Sequence, residues 1–212
     1  MILWPQEFVA GVRRLCDRFG TLLIADEVFT GFGRTGKMFA CEHANIFPDL
    51  LCISKALTAG YLALGATLVT DKIYNAFLSD DRSRTFFHGH SYTANPLACA
   101  VALASLELFE EEPVLENVAR IERQLREGLE PLRGLGHVKD VRVIGGMGAV
   151  ELNVDSPGYL HETGPRLAVE FLKHGLLLRP LGNVVYFLPP YVISEAETEW
   201  ALAVIRSSVC AS

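Results

Sequence analysis

Two short apolar runs, each ending on a charged side chain of opposite sign, constrain this chain more than any other feature. Residues 22–25 end on Asp26, and residues 50–53 end, after Ser54, on Lys55. Apolar runs of this length without alternation predict strands buried on both faces, as in a parallel sheet covered by helices. In such sheets ligands collect outside the carboxyl ends of the strands. The pattern therefore predicts an α/β domain with one crevice that both a carboxylate and an amine face.

The flanking sequence fits that frame. Residues 6–19 carry Phe8, Val9, Val12, Leu15, Cys16 and Phe19 on one helical stripe, with Pro5 before them and Gly20 after. Residues 63–69 read as a third strand, and Asp71 suits the cap of a short helix. Asn95-Pro96 opens a helix to about residue 112, whose alternate alanines leave room for close packing. Pro113 restarts a helix to about residue 132. The texture then changes to a hairpin around Gly145-Gly146, a helix over 166–174 capped by Thr163, and short strands at 176–178 and 184–188. A last helix follows the capping-box pair Ser194 and Glu197. This predicts one domain over residues 1–110 and a smaller α+β domain over 111–212.

Composition narrows the function classes. A net charge of −6 over 212 residues offers nothing to a polyanion such as nucleic acid. No apolar run reaches the ~18 residues of a membrane span, and the first residues lack a leader pattern. The five cysteines are scattered, without a CxxC pair, and point to free thiols in a reducing cytoplasm. Counting the 18 glycines and dropping the 6 tyrosines puts the apolar fraction at about 56%, against a usual ~45–50%. So apolar a chain is expected to bury surface against a further polypeptide.

Several motifs compete for a chemical role. GFGRTGK at 31–37 satisfies G-x-G-x-x-G and most of a P-loop. A nucleotide loop, however, follows its strand directly and opens a helix, and neither context is met here, so a turn-rich loop is the reading adopted. His88 and His90 have metal-ligand spacing but no third ligand nearby, so no metal site is expected. Asp26 or Lys55 alone would be an ordinary strand-end charge, Ser91 a loop hydroxyl and Arg179 a surface arginine. The Asp–Lys pair is more informative. Pyridoxal phosphate chemistry needs an amine to bond the aldehyde and a carboxylate to keep the pyridine nitrogen protonated.

With DEV at 26–28, GFGRTG at 31–36, SKAL at 54–57 and HGHSYTANP at 88–96, the chain resembles the class III pyridoxal-phosphate aminotransferases of fold type I. FACEHA at 39–44 and RPLGNVVYFLPPYVI at 179–193 are similar to one biosynthetic branch of that class. The resemblance covers essentially the whole chain. It implies a partial cofactor-binding large domain, with a mostly parallel sheet, followed by a small domain. It makes Lys55 the lysine that bonds pyridoxal 5′-phosphate and Asp26 the partner of its ring nitrogen, with Val28 against the ring face. His90 and Ser91 become phosphate contacts reaching the cofactor of a second copy in a homodimer. Proline and threonine also occur at these positions in the family, and serine keeps the hydroxyl. Gly89 becomes a point of close substrate approach and Arg179 the group that binds a substrate carboxylate. The implied substrates are small molecules, an amino donor and an oxo-acid acceptor.

The family's chains are about twice as long by the same resemblance. The half without a counterpart is expected to be the N-terminal one, which supplies other parts of the cofactor's cage. Two alternatives stand beside the biosynthetic branch: a relative acting on 4-aminobutyrate or ornithine, and a fragment without catalysis.

Overall fold

The computed structural model describes residues 1–211. The chain divides into two compact units. The first is Trp4–Pro113, and the second runs from Val114 onward together with Met1–Leu3. The division falls at Pro113. Proline has no N–H with which to continue the preceding helix.

The first unit opens with helix α1 (Gln6–Phe19), which stops where Gly20 turns left-handed at φ 64°. Strands β1 (Ile24–Asp26), β2 (Leu50–Ile53) and β3 (Ala66–Val69) form a sheet in that order. β1 and β2 are parallel, with Ile24 opposite Leu50 and Asp26 opposite Cys52. β3 runs antiparallel to β2, Leu50 facing Val69 and Ile53 facing Ala66. The expected mostly parallel sheet is thus mixed in this unit. A parallel return needs a crossover, and the link from β2 to β3 holds only one 3₁₀ turn, Lys55–Thr58. Helices α2 (Asp71–Phe77) and α3 (Pro96–Glu111) complete the unit. Thr70, not Asp71, takes the cap position of α2, whereas Asn95 caps α3 by accepting the Leu97 N–H at 2.9 Å.

The small residues of α3 do what their size permits. Ala98, Ala102 and Ser105 are buried, and the Ser105 hydroxyl donates to the Ala56 carbonyl at 3.2 Å. Ile53, Leu57, Phe32 and Ala102 form the unit's core, with Phe109 packed on it. This core fixes the turn that starts at Lys55.

The outer faces of this unit are not covered. The two-sided burial expected for residues 22–25 is absent, since Ile24 is 60% exposed. No residue of α1 is buried and all four residues of β3 are exposed. Even two separate globular bodies of half this mass would together expose about 11,700 Å². The chain exposes 13251 Å², much of it from large apolar side chains such as Phe19, Phe47 and Leu68.

The second unit is built differently. Helix α4 (Val114–Leu129) presents Val118, Ile121, Leu125 and Leu129 at helical spacing, all buried. The hairpin of β4 (Val138–Ile144) and β5 (Met147–Leu152) turns at Gly145-Gly146, and β6 (Val184–Phe187) pairs antiparallel with β5. A side chain at Gly148 would meet Leu129 at 2.6 Å, so glycine lets α4 lie close on β5. Helices α5 (Thr163–Lys173) and α6 (Glu195–Cys210) close the core around Phe171, Val150 and Ile205. The Ser194–Glu197 capping box forms as expected. Residues 176–178 are irregular rather than a strand, and Thr163 lies inside α5 rather than capping it.

One polar tie holds α1 in the first unit. The Asp49 carboxylate accepts the Leu23 N–H at 2.8 Å and a guanidinium N–H of Arg13 at 2.7 Å. These two bonds, the Leu23 N–H first, hold Asp49 below the usual carboxylate range. A carboxylate depressed in the folded state adds stability above its unfolded value of about 3.9, and that contribution is lost as pH falls through the lower folded value. Acid titration followed by circular dichroism should therefore show destabilisation beginning near pH 4, and Asp49→Asn should flatten that limb. The contrast between the units gives a second expectation. Phe171→Ala should cost about 3–5 kcal/mol in denaturant unfolding, while Phe19→Ala, 70% exposed, should cost less than about 1 kcal/mol.

Candidate active site

Asp26 and Lys55 leave the same end of the sheet. The parallel register sets Asp26 beside Cys52, and Lys55 lies two residues beyond the end of β2. Both side chains are exposed, and no ion pair joins them among the described residues. One carboxylate oxygen of Asp26 accepts the Val28 N–H at 3.0 Å, which orients the group and leaves its second oxygen uncommitted. The Lys55 amine lies 5.4 Å from the centroid of the Phe29 ring, within cation–π range. Its backbone has φ 22°, a region that a lysine seldom adopts. Such strain costs about 1–3 kcal/mol and concentrates at functional sites.

Sequence reasoning gave no role to Glu27, the best-anchored side chain of this region. It is 3% exposed. Its carboxylate accepts the Ala40 N–H at 3.0 Å, the Cys41 N–H at 2.8 Å and the Thr30 hydroxyl. A buried carboxylate is tolerated only when its oxygens are satisfied in this way. The available signal was an acid directly after a strand that ends on Asp26, ahead of a glycine-rich loop with many backbone donors. The clasp folds residues 27–44 back on themselves. Within them GFGRTGK forms turns, Phe32 is buried with φ 58°, and only the 3₁₀ segment Ala40–Ala44 follows. The helix that a phosphate loop requires is not there.

The Cys41 thiol pays for its place beside this carboxylate. Burial first, then the charge of Glu27, pushes it up to about 11.

Residues 85–94 are irregular and exposed. The His90 N–H donates to the Thr93 hydroxyl at 2.9 Å, and the His90 ring accepts the Tyr92 N–H at 3.1 Å. The Ser91 hydroxyl is exposed and free of hydrogen bonds among the described residues, and Gly89 is exposed beside it. No group of three metal-ligating side chains occurs among the described residues. Arg179 belongs to the second unit, where it lines a groove.

A carboxylate with one free oxygen and an unpaired amine, both at the carboxyl ends of adjacent parallel strands, make a donor set that suits pyridoxal phosphate. The aminotransferase class-III family model matches residues 1–209, and the chain belongs to that family. The adenosylmethionine-8-amino-7-oxononanoate aminotransferase of Geobacter sulfurreducens is 47% identical over 99% of this chain and 48% of its own. The crystal structure of the Methanocaldococcus jannaschii enzyme of that name superposes with a TM-score of 0.93 at 41% identity, covering 100% of this chain and 51% of its own. An amine transaminase from an uncultivated Pseudomonas, solved in its PLP-bound form, gives 0.90 at 37% identity, covering 99% and 49%. The chain thus spans about half the length of the curated relatives it matches.

The Glu27 clasp predicts a reactivity order. At pH 8 a thiol at about 11 is on the order of a hundredfold less ionised than an ordinary exposed one. Mass-resolved iodoacetamide labelling should therefore modify Cys41 at least about tenfold more slowly than exposed Cys210. Glu27→Gln should narrow that gap.

Proposed function

We propose that this chain carries the lysine, the acid and part of the substrate contacts of a pyridoxal-phosphate aminotransferase. Its donor is S-adenosylmethionine and its acceptor 8-amino-7-oxononanoate, which leaves as 7,8-diaminononanoate, a biotin precursor. The observation that carries this reading is the β1–β2 register, which brings Asp26 and Lys55 to one edge in a chain of the class III family. Two relatives that bear those substrates in their names support the choice of donor and acceptor.

When bound, pyridoxal phosphate supplies an electron sink for the carbon that carries the transferred amine. The rest is work for this chain. The uncommitted oxygen of Asp26 holds a proton at the pyridine nitrogen, while its other oxygen stays locked on the Val28 N–H. Lys55 Nζ would be the group that holds the cofactor through its aldehyde and, when free, the base that would move the proton at the substrate's amine-bearing carbon. Val28 would pack against the cofactor. Gly89 lets substrate approach backbone, and Arg179 takes a carboxylate with its planar fork. His90 and Ser91 reach the phosphate held by a second copy of the chain, as in a homodimer. Five free thiols fit a cytoplasmic setting.

A second reading is an amine or ω-amino-acid aminotransferase. It is favoured by the close superposition of a transaminase of that kind.

The test uses the 212-residue chain with pyridoxal phosphate, alone and mixed with the unmatched half of the Geobacter relative. A visible absorption band and turnover of S-adenosylmethionine should arise in at least one preparation. Lys55→Ala should remove the band and lower turnover on the order of 10³-fold or more. Activity with 4-aminobutyrate and none with S-adenosylmethionine would move the protein to the second reading. Absence of both band and turnover in both preparations would overturn the proposal.

A further inference from the structure

The second unit contains a groove of about 220 Å³ lined by Tyr159, His161, Pro165, Arg179, Leu181 and Gly182. Its shape depends on glycine. A side-chain carbon at Gly182, where φ is 59°, would lie 1.8 Å from the Gly158 carbonyl oxygen, so the two strands of backbone can cross only there. Leu181 is tied to Val184 by its N–H at 2.8 Å, which anchors the Arg179 side of the groove to β6.

Two polar side chains, Arg179 and His161, line this largely apolar channel. Arg179 has no ion pair among the described residues, unlike Arg133 and Arg142 of the same unit. His161 is half-buried, and its Nδ1 accepts the Thr163 N–H at 3.2 Å. A ring nitrogen that accepts carries no proton, so the neutral imidazole keeps its proton on Nε2 and remains a donor. An arginine fork and an imidazole donor at the rim of an aromatic and aliphatic channel match a carboxylate followed by a hydrocarbon chain.

We propose that His161 is a second carboxylate anchor beside Arg179, and that the groove selects straight-chain ω-amino acids of oxononanoate length by holding acid and chain together. The proposal rests on the role given to Arg179 above and adds His161 and the Tyr159–Leu181 walls to it. His161 is a specificity residue, with no part in proton transfer.

The test is a binding measurement on the full chain without cofactor. Carbon-labelled histidine reports His161 by nuclear magnetic resonance during titration with 8-aminooctanoate, and with 8-aminooctanamide as the neutral control. The acid should shift the His161 signal saturably and the amide should not. His161→Ala should weaken acid binding about tenfold, the worth of one hydrogen bond to a charged group at the low end. His161→Gln, which still offers an N–H, should restore most of it. Equal shifts with acid and amide, or an unmoved His161 signal in the parent chain, would overturn the proposal whatever the variants do. If Arg179→Ala abolishes binding while His161→Ala does not change it, only this inference fails. If Arg179→Ala also leaves binding unchanged, the substrate assignment under the proposed function fails with it.

Discussion

The buried carboxylate of Glu27 is the interaction on which the candidate site depends. A charge only 3% exposed is costly unless its oxygens are satisfied. Here two backbone N–H groups and a hydroxyl, from Thr30, Ala40 and Cys41, do so. Those donors lie in a segment with little regular structure, so the carboxylate takes the place of a sheet ladder. It holds the loop against the end of β1, and the same loop supplies the Val28 N–H that orients Asp26. The acid proposed for chemistry is therefore positioned by the acid next to it in sequence. The two divide the work: Glu27 is inward and saturated, Asp26 outward and half-free.

Much of this was legible from residue order. The ends of β2, the caps of α3 and α6 and the Gly145-Gly146 hairpin follow from local rules, because a cap or a two-residue turn needs only its neighbours. Asp26 and Lys55 were singled out because each punctuates an apolar run. Glu27 was missed because its partners are backbone groups 13 and 14 residues away, which no side-chain pattern announces. The capping of α5 was misassigned for a related reason. Thr163 has the right chemistry, but the His161 ring accepts its N–H instead.

The error about strand burial is instructive in another way. An apolar run reports that a surface is meant to be covered, not what covers it. In the first unit Ile24 and all of β3 remain open, as do Phe8, Leu15 and Phe19 of the α1 stripe. The high apolar fraction of the sequence is spent partly on these open faces and partly on the closed core around Phe171 in the second unit.

That difference bears on how each unit does its proposed work. Recognition of a carboxylate needs a groove of fixed width, and the Arg179 strap gains this from a core in which Phe171, Val150 and Ile205 are almost wholly buried. The lysine in the first unit has a different requirement. It must be held in place at rest and yet be able to move when released. A strained φ at Lys55, supported from below by Ile53, Leu57 and the Ser105–Ala56 hydrogen bond, leaves the four-carbon side chain free above a rigid base. The turn that carries Lys55 is thus packed from below even though strand β3 beside it is exposed, as a site set on regular elements requires.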